Sequence, residues 1–87
     1  MTVIEYPIDG TLDLHTFHPR DIKDLIPEYI SECQSKNINQ IRIIHGKGTG
    51  TLRRMVHSIL DKHPDVLRYW HEGSTAGSWG ATIVSLK

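Results

Sequence analysis

Hydrophobic side chains recur along this chain with two periods. From Pro19 to about Lys36 the apolar positions Ile22, Leu25, Ile26, Tyr29, Ile30 and Cys33 follow the three- and four-residue spacing of an amphipathic helix. Leu52, Met55, Val56, Ile59 and Leu60 repeat that spacing between about Thr51 and Lys62, where Pro64 ends it. Thr11 to His15 alternates instead, which predicts a strand with Leu12 and Leu14 on its buried face and Asp13 and His15 projecting together from the other. Gln40 to His45, Val66 to His71 and Ala81 to Leu86 are rich in β-branched and aromatic residues and read as three more strands. The predicted order is β-α-β-α-β-β. Right-handed crossovers put both helices on one face of a four-stranded mixed sheet, and the last two strands form a hairpin. The fold class is therefore α/β, an α+β two-layer sandwich.

Punctuation residues refine the boundaries. Val3 to Tyr6 is expected as a short edge strand in an N-terminal extension, residues 1–10, closed by Pro7 and the Asp9-Gly10 turn; residues 11–87 form the domain. Pro19 suits the first position of a helix and Asp21 its first turn. Pro27 falls inside the same pattern, where it removes the hydrogen bond to Lys23 and is expected to kink the helix or divide it, although the stretch still reads as one helix.

Composition then narrows the class. Ten basic and ten acidic residues cancel, so any affinity for an anionic partner must come from local clustering. Cys33 is the single cysteine and admits no intrachain disulfide; on the apolar stripe of the first helix it reads as core packing. No basic region precedes an apolar run at the N-terminus, and no stretch approaches 18 apolar residues. These features lead to the expectation of a cytoplasmic protein without a membrane partner.

The local cluster lies between Ile41 and Met55, I-R-I-I-H-G-K-G-T-G-T-L-R-R-M. Gly46, Gly48 and Gly50 let the backbone turn from a strand into a helix and approach a ligand closely. Free N–H groups at that helix start favour an anion, yet the surrounding side chains are Lys47, Arg53 and Arg54 rather than the acids a helix N-terminus prefers. A bound anion would resolve that conflict; the bland reading is a tight turn whose basic side chains point into water. The loop is neither a Walker sequence nor a dinucleotide fingerprint. If the first two strands are parallel, Asp13, His15, His45, Lys47 and the glycine loop converge beyond their carboxyl ends.

Three segments carry a resemblance: Leu12-Asp13-Leu14-His15, His45-Gly46-Lys47-Gly48-Thr49-Gly50 and Gly77-Ser78-Trp79-Gly80-Ala81-Thr82. In this order and with these gaps the chain resembles the Smr, or small MutS-related, domain family from about Ile8 to Leu86. The resemblance implies the fold of the C-terminal domain of translation initiation factor 3 and a nucleic-acid-binding domain that nicks DNA or cleaves RNA in some members. Thr16 and Ser78 stand where the family usually has glycine.

Phosphodiester cleavage requires a proton acceptor, a proton donor and positive or N–H groups directed at the phosphorane oxygens. Asp13, His15 and His45 are the catalytic candidates. Imidazoles near their ordinary pKa of about 6.5 suit the first two tasks. Gly46, Lys47, Gly48, Thr49, Gly50, Arg53 and Arg54 are the phosphate-binding candidates, joined by Gly80 and by Trp79, which is suited to stacking on a base or to covering the core edge. With one carboxylate in the motifs, no obligatory metal cofactor is expected, although Asp13 could hold Mg or Mn through waters. The expected partner is structured DNA or RNA; the alternatives are a non-catalytic nucleic-acid or protein-interaction module and a small-molecule phosphate binder. His18, His57, His63 and His71 read as surface or structural residues.

Overall fold

The structure is a computed structural model that describes residues 8–46, 50–72 and 80–87. Strand β1 (Thr11–Asp13) leads through a single 3-10 turn, Leu14–Thr16, into helix α1 (Pro19–Ser35). Strand β2 (Gln40–Ile44), helix α2 (Thr51–Lys62) and strands β3 (Val66–His71) and β4 (Ala81–Leu86) follow. The expected edge strand at Val3 to Tyr6 lies outside the described residues.

The four strands form one mixed sheet in the order β1-β2-β4-β3. β1 runs parallel to β2, whereas β4 runs antiparallel to both β2 and β3. The α2 crossover therefore passes over one strand position, and β4 enters that gap as the return arm of the expected hairpin. Helical and strand residues meet in one core: Ile22, Ile26, Tyr29, Ile30 and Cys33 of α1 and Val56 and Leu60 of α2 cluster with Leu12, Ile41, Ile43 and Val84. Burying such side chains contributes about 1.5–3 kcal/mol each for the large aliphatics, which is the main source of stability in so short a chain.

α1 is continuous through Pro27. Its N-terminus is capped by His18, whose Nδ1 accepts the Arg20 N–H, with Pro19 in the first turn. Its C-terminus is closed by Asn37 at φ 62°, which turns the chain so that Ile38 N–H reaches the Cys33 carbonyl at 2.8 Å.

The expected first strand is shorter than its alternation suggested. After Asp13 the backbone leaves the sheet because the Asp13 carboxylate accepts the His15 backbone N–H, 3.0 Å, and caps the 3-10 turn. Leu14 remains fully buried and Thr16 ends the turn without a left-handed backbone, so the glycine of the usual motif is not needed here. The proximity of Asp13 and His15 comes from this turn rather than from strand alternation.

On the face away from the core, strand register aligns Thr11, Arg42, Ile83 and Trp70 in one row. There Arg42 forms a bidentate ion pair with Glu72, its terminal nitrogen 2.8 Å from Oε1, tying β2 to the residue that follows β3. Arg68 lies 5.5 Å from the Trp70 ring centroid on the same edge.

Candidate functional site

Parallel pairing of β1 and β2 aligns Asp13 with Ile44, so the first two motifs end at one rim of the sheet. Ile44 pairs in turn with Ala81 of β4, which brings the third motif to the same place. The join is tightened by Gly80, whose carbonyl accepts the N–H groups of both His45 and Gly46 at 2.8 Å. Gly80 has φ 64° and Gly46 φ 80°, conformations that side chains with a Cβ rarely adopt. Asp13, His15, His45 and Gly46 are thus gathered as the sequence predicts, and strand pairing adds Gly80; Lys47, Gly48, Thr49 and Trp79 lie outside the described residues.

Asp13 and His15 form a pair at this rim. Asp13 Oδ1 lies 2.7 Å from His15 Nδ1, and the His15 side chain is 75% exposed. The same oxygen takes the His15 backbone N–H, and that bond, followed by the ring contact, holds the Asp13 carboxyl below its ordinary pKa. An ionised Asp13 holds the ring proton on Nδ1, which leaves the lone pair of the neutral ring on Nε2.

His45 is in a different environment. It is only 7% exposed, with Nδ1 3.0 Å from the Gly46 carbonyl and Nε2 2.8 Å from Thr82 Oγ1. Burial, opposed by the Gly46 contact, lowers its pKa. Both ring nitrogens are engaged, so proton exchange with a substrate would first have to release one of these bonds.

The glycine loop delivers the chain into α2 through Gly50, whose φ of 86° makes it a left-handed N-cap with no side-chain cap. The first turn holds no acidic residue, and the guanidinium groups of Arg53 and Arg54 fold back over the Gly50 Cα: a Cβ built there would meet Arg54 at 3.2 Å and Arg53 at 3.3 Å. Two exposed cations therefore converge on a helix start whose amides are already positive in character.

His57 and His71, read from sequence as surface or structural, belong to the surroundings of His45. His57 Nε2 lies 2.9 Å from Thr82 Oγ1, and the His57 ring is 6.2 Å from that of His45 and 5.5 Å from that of His71. His57 is the polar member of a helix face otherwise made by Val56 and Leu60, and register places Thr82 beside both Ile43 and His71. A polar pair on two buried faces was the available signal; pairing His57 with Thr82, 25 residues away, required the tertiary fold.

Among the described residues no three His, Cys, Asp or Glu side chains are grouped to hold a metal ion. Asp13 already spends one oxygen on His15. A groove of about 420 Å³ between the helices, lined by Lys23, Pro27, Met55, Ile59 and Pro64 among others, shares no residue with the rim.

A two-layer α/β domain with a basic, glycine-lined helix entry and an exposed Asp–His pair on one rim is thus defined. Residues 12–87 match the Smr domain family, and the chain belongs to it. It is 35% identical over 80 residues to the endonuclease MutS2 of Halothermothrix orenii and 36% identical over 80 residues to that of Lactococcus lactis, covering 92% of this chain in both cases. It spans about a tenth of the length of those relatives. The crystal structure of the Smr domain of Thermus thermophilus MutS2 superposes with a TM-score of 0.80 at 24% identity, covering 90% of this chain and 98% of that one. YdaL, a stand-alone small MutS-related protein from Escherichia coli, superposes with a TM-score of 0.80 at 25% identity over 95% of this chain and 68% of its own. No helix among the described residues is long and apolar enough to cross a membrane.

Proposed function

We propose that this chain is a nucleic-acid-binding Smr domain that cleaves a phosphodiester bond at the rim formed by Asp13, His15 and the His45–Gly50 loop. The observation that carries this reading is the exposed His15 held through Nδ1 by Asp13, 2.7 Å away. His15 Nε2 takes the proton of the attacking hydroxyl or water. Arg53, Arg54, Lys47 and the loop amides neutralise the phosphate oxygens as charge builds on them. The motif residues Gly48, Thr49 and Trp79 join Gly46 and Gly80 as binding candidates, Trp79 for stacking on a base. His45 contributes from beneath, through its bond to the Gly46 carbonyl. The relatives' name, endonuclease, supports the reaction class, and their much greater length leaves the target structure to this chain's own measurement.

The engagement of both His45 nitrogens favours a second reading, in which the rim binds DNA or RNA without cutting it. Incubation with supercoiled plasmid and with structured RNA, beside His15→Ala, separates the two. Cleavage lost in the variant with binding kept supports the first reading; binding without cleavage by the wild type, with and without added Mg or Mn, supports the second. Absence of both binding and cleavage would overturn the proposal.

A further inference from the structure

Thr82 is fully buried, and its single hydroxyl stands between two imidazoles, 2.8 Å from His45 Nε2 and 2.9 Å from His57 Nε2. The third contact sets the direction of these bonds. The Gly46 carbonyl 3.0 Å from His45 Nδ1 can only accept, so Nδ1 carries the proton of the neutral ring. The bare Nε2 then requires the Thr82 proton, and the Thr82 oxygen in turn accepts the Nε2–H of His57. Three donors point one way, from α2 through β4 to the first residues of the loop.

We infer that His57 is a positioning residue for His45, and that the two rings share one additional proton through Thr82 Oγ1. The transfer balances as follows. A proton binds His57 Nδ1; the Nε2 proton of His57 moves to Thr82 Oγ1 while the Thr82 proton moves to His45 Nε2. The products are a His45 imidazolium, a neutral hydroxyl and a neutral His57 protonated on Nδ1. Both Thr82 contacts survive with their direction reversed, while His45 Nδ1–H still donates to the Gly46 carbonyl: His45 Nε2–H donates to Thr82, and Thr82 donates to His57 Nε2. A second proton has no such arrangement, because two N–H groups would face Thr82 and its own buried hydroxyl would lose its acceptor.

The surrounding groups set the balance. Burial opposes a positive charge on either ring, His71 on β3 and Arg53 on α2 add to that opposition, and Asp61 on α2, which accepts the Tyr69 hydroxyl of β3 at 2.6 Å, favours the charge on His57. The Tyr69 ring packs 4.7 Å from His57. The shared proton places positive charge beneath Gly46. If the rim binds phosphate as proposed above, an anion in the loop draws that proton onto His45, and binding takes up a proton.

The test is nitrogen-15 NMR of the imidazoles against pH in the 87-residue chain, for the wild type, His57→Gln and His57→Phe. At high pH the proton is expected on Nδ1 of His45 and Nε2 of His57; acidification adds one proton that the two rings share, so both imidazoles titrate together in a single step, and added phosphate shifts that charge toward His45 while the His57 proton changes nitrogen. His57→Phe leaves Thr82 without an acceptor in the charged state and lowers the proton affinity of His45 by roughly tenfold, about one pH unit. His57→Gln, whose amide oxygen accepts from Thr82, restores most of it, which loss of packing alone would not allow. His45 protonated on Nε2 at high pH, or an unchanged titration in a folded Phe variant, would overturn the inference. If the Phe variant does not fold, a His45 titration in His57→Gln within about half a unit of wild type supports it, and a loss of about a full unit in His57→Gln overturns it. Calorimetry with inorganic phosphate in buffers of different ionisation heat measures proton uptake separately. Absence of phosphate binding there, with the tautomers as expected, defeats the anion reading and leaves the shared proton supported.

Discussion

Asp13 grips His15 twice through one oxygen, at 3.0 Å on the backbone N–H and 2.7 Å on ring Nδ1. The first bond ends β1 and starts the 3-10 turn; the second orients the ring that the turn has brought round. A single carboxylate thus links local backbone structure to the chemistry of the rim, and its replacement should affect both.

His15→Ala is expected to lower cleavage by about 100-fold or more, within the usual range for loss of a general base, while nucleic-acid affinity changes little. Asp13→Asn should also lower the rate, because the amide carries no charge to stabilise the imidazolium. Rates under saturating substrate, beside binding isotherms, provide the comparison. Equal loss of affinity and rate in His15→Ala would place His15 among binding groups instead.

The convergence of Arg53 and Arg54 over Gly50 makes a prediction about salt. Replacing either by Gln should weaken binding about equally for different sequences and reduce the slope of log K against log salt by about one phosphate contact. Lys47→Gln should do the same. Slopes that match the wild type in all three variants would return these side chains to the solvated surface.

Acid should destabilise the fold in two stages. Burial holds the His45 and His57 imidazoles below their ordinary value of 6.5, so between the folded and unfolded pKa values the unfolded chain binds more protons. Stability from these groups is complete above the unfolded value and is lost as pH falls through that window. Asp13 and Glu72, held below 3.8 and 4.5 by hydrogen bonds to His15 and Arg42, add a second loss at lower pH. Urea midpoints measured from pH 8 to pH 3 should decline on acidification; a midpoint that rises between pH 7 and 5 would contradict the histidine assignment.

Tyr29 connects the core to the turn before β1, because its buried hydroxyl accepts the Gly10 N–H at 3.1 Å. Tyr29→Phe keeps the ring and leaves that N–H unsatisfied, and should cost about 1–3 kcal/mol in chemical denaturation. Burial also raises the phenol well above its ordinary value, so alkaline titration should find Tyr29 resistant while the fold persists. A change under about 0.3 kcal/mol would mean that water replaces the bond.

Gly50→Ala should destabilise by about 1–2 kcal/mol, the usual cost of a left-handed conformation for a residue with a Cβ. The atoms such a Cβ would meet are the ends of Arg53 and Arg54, which can move aside, so the backbone angle sets the cost. The displaced guanidiniums should also reduce nucleic-acid affinity. Thermal unfolding and binding by the same variant test both consequences.

The sequence by itself determined the two helices, the four strands in their chain order, the parallel first pair and the meeting of the first two motifs at one rim. Apolar periodicity carries the elements, and the rule that parallel strands end together carries the rim. Alternation could not reveal that β1 stops at Asp13, because a side-chain cap competes there with strand pairing at a cost that no periodicity records. The same periodicity read α1 as one helix through Pro27, and packing sustains it, since Ile22, Leu25, Ile26, Tyr29 and Ile30 bury one face on both sides of the missing hydrogen bond.

Only the tertiary structure decided the chemistry beneath the loop. His57 reads along the chain as one polar residue on a helix, and Thr82 as one β-branched residue of a strand. Insertion of β4 between β2 and β3 brings Thr82 under α2 and beside the end of β2, where one buried hydroxyl must satisfy both His45 and His57. A hydrogen bond between distant side chains depends on distance and direction within a fraction of an ångström, and spacing along a chain does not encode either.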